Sequence, residues 1–200
     1  MGGGLNQISS GSTNPDDPDL DRGNCDQNRT HIGNFTLGYQ TPTFATPGLR
    51  VLASDWRVSG ILSARAGSWL TVTTGRDISL NGQRVQQQRV SQVSDDVYGD
   101  KTLLAYLDRA AFALPVLGTF GDHVRNSVRG PGFWKVDMAL SRLLSFASTQ
   151  TVELRVEAFN LFNNFNWGNP NLNFSSGSFG RITAIAGDPR ILQFGVKYGF

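Results

Sequence analysis

Cysteine is nearly absent from this 200-residue chain. The single Cys25 excludes an internal disulfide framework and a zinc cage built from thiolates. Charge is also scarce, at 17% where soluble domains average about 25%. Lysine is limited to Lys101, Lys135 and Lys197, and the formal net charge is only +2. That balance lacks the clustered basic stripe of a nucleic-acid-binding surface, so no nucleic acid is expected as a partner. No apolar run approaches the roughly 18 residues of a transmembrane helix. The opening residues MGGGLNQISSGSTNP have neither the charged n-region nor the apolar h-region of a signal peptide. His31 and His123 each lack a second ligand at metal-binding spacing. Nucleophile elbow, P-loop, H-E-x-x-H and dinucleotide glycine patterns are all missing. The expectation is a non-enzyme with no catalytic residue, no cofactor and no metal. Asp17, Asp19 and Asp21 alternate as calcium ligands can, but the following glycine and Asn28 fall at the wrong places for an EF-hand.

What is present is glycine, proline and alternation. Residues 1–28 hold a glycine run and five aspartates with little apolar content, and are expected to be a disordered or extracellular loop segment. Beyond them, five segments alternate with period two. Residues 31–40 set Phe35, Leu37 and Tyr39 on one face. Residues 55–65 set Trp56, Val58 and Leu62 there, and residues 133–141 set Trp134, Val136, Met138 and Leu140. Residues 151–157 contribute Val152, Leu154 and Val156, and residues 191–200 contribute Leu192, Phe194, Val196, Tyr198 and Phe200. The opposite faces carry Lys135, Asp137, Glu153, Arg155, Glu157, Gln193 and Lys197. Each segment is close to the 9–11 residues with which a tilted strand crosses a bilayer.

The connections alternate as well. A moderately short, Pro-punctuated link follows the first strand, and the long stretch 67–131 follows the second. A polar turn around Ala147, Ser148 and Thr149 joins the third to the fourth, and the Asn-rich stretch 163–189 leads to the fifth. Short turns alternating with long loops are the rhythm of an outer-membrane barrel. Within the first long loop, residues 100–115 place Leu103, Leu104, Leu107, Ala110, Ala111 and Leu114 at helical spacing, which predicts one short helix. Trp56, Trp134, Tyr39, Tyr198 and Phe200 fall near strand ends, where interfacial aromatic girdles sit. The fold class expected is all-β: an antiparallel transmembrane β-barrel fragment of about five strands. A soluble β-rich carbohydrate-binding or adhesin-like module, using the Asn and aromatic loops, is the competing expectation.

Several stretches together resemble the carboxy-terminal part of Oar-like TonB-dependent outer-membrane transporters. They are RGPGFWKVDMALSR (129–142), VELRVEAFNLFNNFNWGNPN (152–171), SFGRITAIAGDPRILQFGVKYGF (178–200) and DWRVSGILSARAGSWLTVTTG (55–75), with DRGNCDQNR (21–29) before them. The resemblance implies a barrel of about 22 strands filled by a plug. Uptake of an unknown ligand would be driven by a TonB-type energy-transducing complex acting through that plug, in the outer membrane of a Gram-negative bacterium. Residues 29–200 would be the carboxy-terminal barrel portion, with outer-membrane lipid against its apolar faces. Lys135, Asp137, Glu153, Arg155, Glu157, Gln193 and Lys197 would face the lumen. Tyr198 and Phe200 would form the signal read by the barrel-assembly machinery. No plug precedes the strands here, so the chain is expected to be a fragment of a longer protein.

Overall fold

A computed structural model describes residues 13–14, 17–82, 88–146 and 150–200. The described elements, in chain order, begin with β1 (Ile32–Gln40), α1 (Pro47–Ala53) and β2 (Trp56–Arg65). Four two-residue strands follow, β3 (Trp69–Leu70), β4 (Ser91–Gln92), β5 (Phe112–Ala113) and β6 (Val128–Arg129). The long strands β7 (Phe133–Ser145), β8 (Thr151–Phe159) and β9 (Ile191–Gly199) complete the set. They divide into two compact units.

The first unit, residues 31–65, 133–166 and 186–200, is an antiparallel sheet in the order β1-β2-β7-β8-β9. The sheet is open, with β1 and β9 as its edges. Its register keeps the alternation in phase from strand to strand. One row runs Tyr39–Val58–Leu140–Val156–Phe194, and the next runs Gly38–Ser59–Ala139–Glu157–Gln193. Because side chains alternate with period two, a one-residue slip at any pairing would have mixed these rows. In phase, all five apolar sets share one face. That face is uncovered: Phe35 is 63% exposed, Phe194 73% and Val196 75%. β7 runs four residues further than its alternation predicts, through Leu143 and Leu144 to Ser145.

The expected turn at Ala147–Thr149 lies outside the described residues. On either side of it, Phe146 N–H donates to Gln150 O at 3.1 Å, so β7 and β8 are held together up to its edge. The link between β1 and β2 contains α1, the one α-helix among the described residues. Pro47 occupies its first turn, where a missing N–H costs nothing.

The helix expected over residues 100–115 is corrected. That stretch holds only a three-residue 3-10 turn, Arg109–Ala111, followed by β5. Its backbone is claimed from elsewhere: Tyr106 and Leu107 N–H both donate to Gly180 O, and Asp108 N–H donates to Val97 O. Lys101 has a φ of 54°, which breaks a right-handed helix at its start. Tertiary pairing thus overrides a local apolar spacing.

The second unit comprises residues up to 30, 66–132 and 167–185. Most of both long loops belongs to it, and they are not merely connections. Leu70, Val72, Val90, Leu107, Phe112, Val128, Phe179 and Ile182 form a hydrophobic core of their own. Phe112 meets Phe179 edge-on at 5.8 Å, and Phe179 meets Phe174 at 5.2 Å. Two small ladders add to it: β3 with β6 near the ends of the first long loop, and β4 with β5 inside it.

Of residues 1–28, expected to be a disordered or extracellular loop segment, residues 1–12 and 15–16 lie outside the described residues. Pro18–Asp21 form a 3-10 turn in which the Asp17 carboxylate accepts the Asp19 N–H. Gly23 then pairs in parallel with Arg125. Polar contacts order this segment, which is why a search for apolar residues does not anticipate it.

Candidate functional site

The seven polar residues singled out on the strands all fall on the face opposite the apolar one. Lys135 and Asp137 lie on β7, Glu153, Arg155 and Glu157 on β8, and Gln193 and Lys197 on β9. The register sets Glu157 opposite Gln193 and Glu153 opposite Lys197. Arg155 sits between Ser141 and Gly195. The close ion pairs on this face run along strands rather than across them. Lys135 Nζ lies 2.6 Å from Asp137, and Arg155 Nη2 lies 2.7 Å from Glu157. Residues two apart on a strand share a face, and long side chains reach each other across that step.

Asp137 has a second task. Its Oδ1 accepts the backbone N–H of Asn160 at 2.8 Å. Asn160 is buried in a left-handed conformation, φ 50°, just past the end of β8. Its amide donates to Asn164 O and Asp188 O, and its Oδ1 accepts from Asn164 N–H. Asn166 likewise bridges to Trp134, accepting from its N–H and donating to its carbonyl. The EAFNLFN stretch is therefore a polar clasp that turns the chain from β8 into the next loop. Sequence reasoning noted the asparagines as loop composition without seeing this role.

A depression of about 140 Å³ on the polar face is lined by Ser59, Ile61, Asp137, Ala139, Arg155 and Glu157, among others. It is below the range of about 300–1,000 Å³ that encloses a small-molecule ligand. On this sheet the polar face is a charged wall rather than a pocket.

Tyr and Trp residues of the apolar face lie at both sheet ends, with Phe35 and Phe194 between them. Tyr39, Trp56, Tyr198 and Phe200 mark the end where β1 and β9 finish, and the Tyr198 and Phe200 rings lie 6.1 Å apart. Trp134 marks the other end, with Phe162 at 6.3 Å. Trp134 pairs with Ala64, eight residues along β2 from Trp56, a separation of about 26 Å at strand rise.

The remaining candidates resolve into structural contacts. Asp17 caps Asp19 N–H, Asp19 pairs with Arg22 at 3.1 Å, and Asp21 accepts two hydrogen bonds from Thr13. His123 is buried against Phe112, with Nδ1 2.9 Å from Gln92 Oε1. Burial, reinforced by the nearby Arg89 charge and opposed by Asp122, pushes its pKa down to about 4. His31 is exposed on the approach to β1.

No curated protein and no solved structure matches this chain. A family model does match it, that of the outer membrane beta barrel domain, over residues 2–193. The register, the uncovered apolar face and the alternating connection lengths are what such a domain requires, and the chain belongs to the outer membrane beta barrel domain family.

Proposed function

We propose that this chain is the carboxy-terminal barrel portion of a TonB-dependent outer-membrane transporter, supplying barrel wall and extracellular loops for energy-coupled uptake of a ligand. The observation that carries the reading is the single apolar face spanning all five strands. In water it needs a second layer; in a bilayer, lipid provides it. The two aromatic groups then lie at the two interfaces, and the Lys135 to Lys197 set faces the lumen or plug. Both long connections leave from one end of the sheet, the end assigned to the outside of the cell. Tyr198 and Phe200 are offered to the barrel-assembly machinery, and the plug to the energy transducer. Gram-negative origin follows from the same reading. It gives no residue a catalytic role and needs no cofactor.

The independent core of the loop unit favours the rival reading, a soluble binding module. Against that stands the exposed apolar sheet face. The test is the coding DNA upstream of Met1 together with fractionation of the product. A continuous frame encoding a plug and further alternating strands, with product in the outer membrane, is expected. Strands without a plug would overturn energy-coupled transport, and a product soluble without detergent would favour the binding module.

A further inference from the structure

Arg89 is 3% exposed, yet it is poorly satisfied. Among the described residues its Nε and Nη1 have no hydrogen-bond partner, and the Asp21 carboxylate oxygen is 3.8 Å from Nη2. A buried guanidinium normally gathers several close acceptors, because unpaired donors in a dry site are costly. Arg125, one-third exposed, adds a second positive charge nearby and stands 3.7 Å from Asp26. Asn126, buried in a left-handed conformation, donates to Asp26 Oδ1 at 2.6 Å.

Asp21 and Asp26 belong to one strap, residues 17–28, laid across these groups. Its 3-10 turn buries no residue. Gly23 touches the Arg125 backbone so closely that a Cβ would meet Arg125 O at 2.0 Å. Both ion pairs are too long to be hydrogen bonds. The strap thus places two carboxylates over two guanidinium groups without satisfying them.

We propose that Arg89, Arg125 and Asn126 form a binding site for a small dicarboxylate ligand, and that the strap occupies it as an internal stand-in which the ligand displaces. Two carboxylates free to approach at hydrogen-bond distance make charge-assisted bonds that Asp21 and Asp26 do not reach. Arg22 is exposed, but the peptide bond after it is held between the 3-10 turn and the Gly23–Arg125 bridge; once displaced, the strap frees that bond to enter a protease cleft. The proposal deepens the transport reading by naming a ligand class, but the site lies within the loop unit and functions without energy coupling.

The experiment is limited trypsin digestion of outer membranes from cells that make the protein, with succinate as probe and acetate at equal ionic strength as control. Cleavage after Arg22 is scored by mass spectrometry against cleavage after Arg190. Succinate is expected to raise it about tenfold once free ligand is about ten times its dissociation constant, and acetate is expected not to. Arg125→Gln, at a partly exposed position, should abolish the response. Asp21→Asn should speed cleavage without ligand and lower the succinate concentration needed. Equal cleavage in succinate and acetate, or an unchanged response in Arg125→Gln, overturns the site. Isolated outer membranes hold no energised transducer, so a succinate response stands even if the transport reading fails. Transport without the response leaves only the site overturned.

Discussion

Arg142 stands directly opposite Trp56 across the β2–β7 pair, its guanidinium 5.2 Å from the indole centroid. The arginine lies on the otherwise apolar face, at the end of the sheet next to α1. Both side chains serve the carboxyl end of that helix: Trp56 Nε1 donates to Leu52 O at 2.8 Å, and Arg142 Nη2 donates to Val51 O. Terminal carbonyls of a helix lack partners within it and attract cations. The arginine stem can therefore lie along apolar surface while its head reaches polar groups at the edge.

Arg142→Met keeps the stem and removes the head. It should lower the barrel's unfolding free energy in detergent by about 1–3 kcal/mol, the worth of charged hydrogen bonds plus a cation–π contact. Arg142→Lys should recover part of the loss. Equal stability of all three proteins in a urea titration would show that the α1 contact is incidental.

Neighbouring positions on β9 should respond oppositely to charge. Phe194 lies in the apolar row and Gln193 in the polar row. Phe194→Arg should cost about 2–4 kcal/mol in a bilayer if it sits at mid-depth, whereas Gln193→Arg should be close to neutral. Folding into lipid vesicles, followed by urea unfolding, gives both values. A reversed order would turn the sheet inside out.

Asn160→Ala removes three side-chain hydrogen bonds and leaves the left-handed backbone to a residue without the short polar side chain that eases that conformation. A loss of about 2–3 kcal/mol is expected. Asn160→Gly relieves only the backbone part, so it should be the milder change by about 1 kcal/mol. If alanine and glycine destabilise equally, the clasp works through its hydrogen bonds alone.

Acid should loosen the loop unit through His123. Its folded pKa, about 4, is below the ordinary 6.5, so the unfolded chain takes up the proton first. The stabilising contribution is complete above pH 6.5 and is lost as pH falls through 6.5 toward 4, amounting to about 3 kcal/mol. Denaturation followed by Trp69 and Trp167 fluorescence should show this slope, and His123→Leu should flatten it. A slope that survives the substitution would assign the acid sensitivity to another group.

Period-two alternation determined the strands and their two faces on its own, because the peptide geometry sends successive side chains to opposite sides whatever lies nearby. It placed all five long strands close to their observed bounds, and with them the seven polar residues of one face. The short-long rhythm of the connections was legible for the same reason, since it only requires knowing where strands stop.

Tertiary structure alone decided the rest. Residues 100–115 carry helical spacing, but their N–H groups donate to the carbonyls of Gly180 and Val97, which lie outside the stretch. Residues 17–28 carry few apolar groups, and only the fold shows Asp21 and Asp26 beside Arg89 and Arg125 and Asn126 donating to Asp26. The loop core joins Val72, Phe112 and Phe179 from separate stretches of the chain. Such contacts depend on which segments meet after the strands pair, and no local pattern in a sequence records that meeting.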